Sequence, residues 1–207
     1  MVSSGRGAAG TQQPVARRRG PVLERAILAA ALDQLTEVGW KGFTMEGVAT
    51  AAQTGKASVY RRWPSKEELV LDALRAGLPG PAEPPDHGSL RADLLSFCHS
   101  LLDSMRSRTG VALRAVIHEC DHRAAERFTE FIEGEVLAPG KRLIREIMKN
   151  GIARGEVRPD AESGMVEDVV PALLMYRTKL CGGQVTDRDA VEIVDRVMLP
   201  LLRVHSA

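Results

Sequence analysis

Residues 44 to 68, TMEGVATAAQTGKASVYRRWPSKEE, limit the fold more than any other stretch of the chain. Apolar and small residues recur there at helical spacing over two short segments, about 45 to 52 and 56 to 63, with only Gln53-Thr54-Gly55 between them. Val48, Ala49, Ala52, Val59 and Trp63 fall on the inward side. Small side chains at 49 and 52 let the two helices cross closely, while Val59 and Trp63 plug the gap. The layout is a helix-turn-helix, which leaves Lys56, Ala57, Tyr60 and Arg61 on the opposite, polar side of the second segment.

The flanking sequence reads as helix throughout. Leu23, Ile27, Ala31, Leu35 and Val38 mark an amphipathic helix that Gly39 stops. Ser65, with Glu68 three residues on, is a capping-box signature for a helix running to about Arg75. Residues 78 to 88, LPGPAEPPDHG, hold four prolines and exclude a continued helix. Beyond Ser89 the spacing predicts helices over about 90–106, 110–119, 122–153, 162–181 and 187–203, with Pro139-Gly140 kinking or splitting the third and Pro171 bending the fourth. The expected class is all-α, divided into a tail (1–20), a helix-turn-helix domain (21–78), a linker (79–88) and a helical domain (89–207).

Composition agrees with that class. Aromatic residues are only 4% and runs of β-branched residues are few, which favours helices over sheets. A net charge of +1 hides an asymmetry: residues 1 to 78 carry 11 Lys and Arg against 7 Asp and Glu, whereas 79 to 207 carry 17 against 20. The basic end is the candidate for a polyanion. Cys98, Cys120 and Cys181 form no CxxC pair, so neither a disulfide framework nor a zinc ribbon is expected, and a reducing cytoplasm fits. No apolar run approaches the ~20 residues that cross a bilayer and no signal-peptide core is present, so no membrane partner is expected.

A basic, polar helix face on a small tri-helical core suits the major groove of double-stranded DNA. Thr44 caps its helix and offers a hydroxyl to phosphate. Lys56 brings charge to the helix start, and Ala57 permits close approach or contact with a thymine methyl. Ser58 and Tyr60 add hydroxyl donors, Arg61 pairs with guanine or phosphate, and Lys66 lies beside helix-start amides that attract an anion. Arg17-Arg18-Arg19 is either an arm for the minor groove or a solvated basic tail.

This stretch resembles the tetracycline-repressor (TetR) family. Thr44, Val48, Ala49, Ala52, Val59, Tyr60, Ser65, Lys66, Glu67 and Leu69 fall on the family pattern, with Trp63 in place of its Phe. The resemblance spans about Pro21 to Leu78. Two departures lie at the turn: Gln53 stands where the family has Gly, and Gly55 where it has Ser, so a residue suited to positive φ and a side-chain cap are both lost. The resemblance implies a homodimer on a palindromic operator and release by a small-molecule effector that favours a conformation unable to match both grooves.

The second half offers candidates for both roles. The last helix carries Val191, Val194, Met198 and Leu201 on one stripe and Ile193, Val197 and Pro200 on another. Two apolar sides need two partners: one is the preceding helix, and the other is either the same helices of a second subunit, which the resemblance implies, or more of the same chain. Phe97, Leu101, Met105, Phe128, Phe131, Met148 and Met175 serve either as core or as the lining of an apolar cavity, and the resemblance implies a cavity.

Two readings compete with a specific repressor. One is an architectural DNA binder with no effector. The other is a zinc hydrolase, because His118-Glu119-Cys120-Asp121-His122 satisfies H-E-x-x-H. No third histidine follows at metzincin spacing, and Asp121 as the cap of a new helix would break the continuous helix that the zinc motif requires. G-x-S-x-G, Walker and dinucleotide signatures are absent from the sequence, so neither enzyme activity nor a cofactor is expected.

Overall fold

The computed structural model describes residues 20–120, 122–161, 163–180 and 185–203. The elements are α1 (Gly20–Gly42), α2 (Met45–Ala51), α3 (Lys56–Tyr60), α4 (Lys66–Gly77), α5 (Leu90–Arg106), α6 (Arg108–Glu119), α7 (His122–Phe131), α8 (Ala138–Ala153), α9 (Gly164–Leu180), α10 (Asp187–Ile193) and α11 (Leu199–Leu202). Among the described residues the only β pairing is an isolated bridge between Val157 and Arg203. The chain is all-α. The Arg17–Arg19 cluster and Cys181 lie outside the described residues.

Helix ends follow their local chemistry. Thr44, Ser65, Ser89 and Ser107 each accept a hydrogen bond from the amide three residues on. Ser65 supplies only half of the expected box, since Glu68 turns instead toward Arg127; the reciprocal box sits at Thr186 and Asp189. Gly39 ends the regular part of α1 at φ 69° and ψ −175°. Val38 therefore stays exposed, and Trp40 and Phe43 turn into the core.

The long third segment is interrupted upstream of Pro139, by a π-helical turn over Ile132–Leu137. A second such turn, Val194–Met198, precedes Pro200. A proline ring removes one N–H and crowds the carbonyl four residues back, and a widened turn relieves both effects. α9 continues through Pro171 as one helix.

Two hydrophobic clusters form. The first unites α1–α4 with Ala112 and Val116 of α6 and Phe128 and Phe131 of α7; the second gathers α5 and α8–α11. Residues 21–78 thus do not close their own core, as befits a unit of that size. Trp40 meets Phe128 edge-on at 5.2 Å. Arg108 reaches the Ala29 carbonyl and Asp33, and the Thr109 hydroxyl donates to the Gly77 carbonyl at 3.0 Å, so α6 is tied to α1 and to the end of α4.

The linker is pinned as well. Arg154 bonds Asp86, the fully buried Asp93 and Glu156 at 2.9, 2.7 and 2.7 Å, while the His87 amide donates to Asp93 at 2.6 Å. Burial pushes the Glu156 carboxyl up, but the Leu90 amide and Arg154 outweigh it and hold the group below its ordinary range. Burial alone pushes the Cys98 thiol up to about 12, which leaves it inert as a nucleophile.

Candidate nucleic-acid interface

Val48, Ala49, Ala52, Val59 and Trp63 are all buried, and their packing fixes α3 across α2. Thr44 sits at the start of α2. Its Oγ1 accepts from the Gly47 amide at 3.1 Å and its own amide donates to Gln34 at 3.2 Å, so the exposed hydroxyl proton is left for an outside acceptor. Lys56, Ala57, Tyr60 and Arg61 are exposed together on the outer face of α3, with Ser58 half-buried beside them. Arg62, which the sequence reading passed over, is exposed too; its adjacency to Arg61 was the available signal.

One carboxylate stands inside this basic face. Glu46 Oε1 accepts from the Tyr60 hydroxyl at 3.2 Å and lies 3.5 Å from Lys56 Nζ. Its own backbone N–H chiefly holds the Glu46 carboxyl below its ordinary range, with Lys56 and Tyr60 adding to the effect. Partial desolvation, then the Glu46 charge, push the Tyr60 hydroxyl up, so it remains a protonated donor. Lys66 does open α4, but its Nζ lies 3.9 Å from the centroid of the Trp40 ring, and a phosphate must share it with that ring.

The turn carries the strain its sequence implies. Gln53 adopts φ 54°, and Gly55 starts α3 with no side-chain cap. The double substitution Gln53→Gly with Gly55→Ser should therefore stabilise the protein by about 1 kcal/mol, read as a higher urea midpoint. An unchanged or lower midpoint would count against strain at this turn.

The zinc reading does not survive. Cys120 is extended, at φ −65° and ψ 143°, and separates α6 from α7, so His118 and His122 do not share one helix. Glu119, the would-be base, accepts from the Lys41 amide at 3.0 Å. Asp121 lies outside the described residues.

The cavity candidates scatter. Leu101, Met105 and Met175 line an inner, largely apolar cavity of about 140 Å³ between α5, α6 and α9, together with Leu113, Ile117 and Leu174. Phe97 and Leu101 line a more open one of about 560 Å³ beside the linker. Phe128, Phe131 and Met148 line neither. The two phenylalanines belong to the N-terminal core, and Met148 is fully buried in the other.

The Val191–Val194–Met198–Leu201 stripe of the last helix also divides. Val194 and Met198 are fully buried within the chain and cannot meet a partner, Leu201 is half-buried, and Val191 is 37% exposed. The larger outward apolar groups are Met165 and Tyr176 on α9, 81% and 55% exposed. They share a face with Ala172 at helical spacing, a face that the sequence analysis did not single out.

An all-α chain whose N-terminal helix-turn-helix turns a basic face outward is, as a class, a DNA-binding regulator. Known proteins narrow the class. The sequence pattern described as "Bacterial regulatory proteins, tetR family" matches residues 27–73, and that described as "Tetracyclin repressor-like, C-terminal domain" matches 84–197. An uncharacterized HTH-type transcriptional regulator of Mycobacterium tuberculosis is 34% identical over 86% of this chain and 87% of its own. The DNA-binding transcriptional repressor TetR of Mycobacteroides abscessus is 31% identical over 89% and 96%. The crystal structure of a TetR transcriptional regulator from Agrobacterium tumefaciens shares the fold with a TM-score of 0.65 at 22% identity, over 89% of this chain and 96% of the other. The chain belongs to the tetR family and is a DNA-binding transcriptional regulator of repressor type. No helix among the described residues is long and apolar enough to cross a membrane.

Proposed function

We propose that the protein is a homodimeric repressor that reads a palindromic operator and leaves it when a small, largely apolar effector binds. The observation that carries this reading is the outer face of α3, where Lys56, Ala57, Tyr60 and Arg61 stand together on a rigid buried base. Lys56, Arg61 and Arg62 supply charge for phosphates, and Tyr60 with Arg61 reaches base edges. Thr44, Ser58 and Lys66 position the motif on the backbone.

One short recognition helix contacts few base pairs, so two copies on successive major grooves supply the specificity. The exposed α9 face of Met165, Ala172 and Tyr176, together with exposed Val191 on α10, is the surface offered to the second copy. The two cavities give the effector its room.

Selection of duplexes from a random pool at near-physiological salt tests this. The parent should enrich an inverted repeat, and Lys56→Ala and Tyr60→Ala should each weaken binding to it about tenfold or more. Binding that falls steeply with salt but enriches no sequence, with both variants equal to the parent, would instead support an architectural role.

A further inference from the structure

The 560 Å³ cavity joins an apolar interior to a charged rim. Phe97, Leu101, Val136 and Leu143 form its walls, and Arg75, Glu135 and Arg142 its edge. Arg142 is exposed and has no ion pair among the described residues. Arg75 is shared: its Nη2 and Nε donate to Glu135 at 2.6 and 2.9 Å, and its Nη1 donates to Asp72 at 2.9 Å. The other oxygen of Asp72 accepts from the indole N–H of Trp63 at 2.9 Å. Trp63 is the buried plug that follows α3, so an unbroken line of hydrogen bonds joins the cavity rim to the base of the recognition helix.

We propose that this cavity takes an amphipathic carboxylate, whose head group binds Arg142 and displaces Glu135 from Arg75, and that the line Glu135–Arg75–Asp72–Trp63 carries the change to α3. The proposal deepens the effector-responsive reading and rests on it. The walls accept a chain or ring, and the uncompensated guanidinium selects an anion over an alcohol or an amine. A guanidinium engaged on its rim side by a new carboxylate re-aims its fork, and Asp72 then loses its donor or swings with it. Trp63 keeps its bond only by following. Ligand and operator thus weaken each other by the same factor.

Decanoate is the probe, with decanol and decylammonium as isosteric controls, and displacement of the fluorescent anion 8-anilinonaphthalene-1-sulfonate from the full chain reports binding. Decanoate should bind more tightly than either control. Arg142→Gln should weaken it about fivefold and Glu135→Gln, which removes the competing carboxylate, should tighten it. Saturating decanoate should lower affinity for the selected operator about tenfold. Asp72→Asn should bind decanoate as the parent does yet lose that response, because the asparagine carbonyl still accepts from Trp63 while its NH₂ faces Arg75.

The chain has two tryptophans, so two indole N–H resonances are expected. The one removed by Trp63→Phe should shift with decanoate in the parent and stay fixed in Asp72→Asn. Equal binding of decanoate and decanol, or an unaffected Arg142→Gln, would overturn the anion site. Unchanged operator affinity with a static Trp63 resonance would overturn the relay. A parent that enriches no operator sinks the repressor reading, while the binding isotherms and the Trp63 resonance still decide the cavity and the relay on their own.

Discussion

Replacing Arg154 by Met is expected to cost about 3–5 kcal/mol of stability, because it leaves the fully buried Asp93 carboxylate with the His87 amide as its remaining partner. Arg154, at the end of α8, joins the linker, through Asp86, to the start of α5, through Asp93 and through Glu156, which accepts from the Leu90 amide. Thermal unfolding should fall by about 10 °C. A second substitution, Asp93→Asn, separates lost charge pairing from lost packing. If the buried charge is the cause, the double variant should be more stable than the sum of the single losses, by about 1–3 kcal/mol.

The acid limb of the stability curve supplies a second reading of the same network. Glu156 is held below its ordinary range when folded, so its contribution is complete above the unfolded carboxylate pKa and fades as pH falls through the lower folded value. Arg154→Met should flatten that limb. Equal denaturant midpoints for parent and variant would show that Asp93 finds another donor and that the linker is not held as described.

Gly39→Ala should cost about 2–3 kcal/mol. At φ 69° and ψ −175° the residue occupies a region open almost only to glycine, and the backbone penalty dominates. A Cβ there would also come within 2.6 Å of the Glu119 carboxylate, which can swing away only by giving up the Lys41 amide. Glu119→Gln, which keeps an acceptor, should cost under about 1 kcal/mol. A Gly39→Ala protein within about 0.5 kcal/mol of the parent in urea unfolding would mean that α1 reaches α6 by another path.

The effect bears on regulation. The Lys41–Glu119 bond joins the helix-turn-helix core to α6, whose other face lines the inner cavity, so loosening it should weaken any link between cavity and DNA.

What was legible in the sequence was local. The helix-turn-helix emerged from small residues at 49 and 52 against large ones at 59 and 63, and the helix ends from Thr44, Ser65 and Gly39, because capping and helical period act within a few residues. The polar face of α3 followed from the same period, whereas the strain at Gln53 followed from the resemblance to the tetR family, which has Gly at that turn position.

The tertiary structure decided which partner each apolar face meets. Period places Phe128, Val194 and Met198 on an inward stripe but does not say which interior receives it; Phe128 went to Trp40, and the other two stayed within the subunit instead of facing a second one. Burial is set by elements far apart in sequence, so Glu119, which locally only completes an H-E-x-x-H match, became the acceptor for an amide 78 residues away. The Trp63–Asp72–Arg75–Glu135 line arises in the same way, since its last link spans 60 residues that only the packing of α7 against α4 brings together.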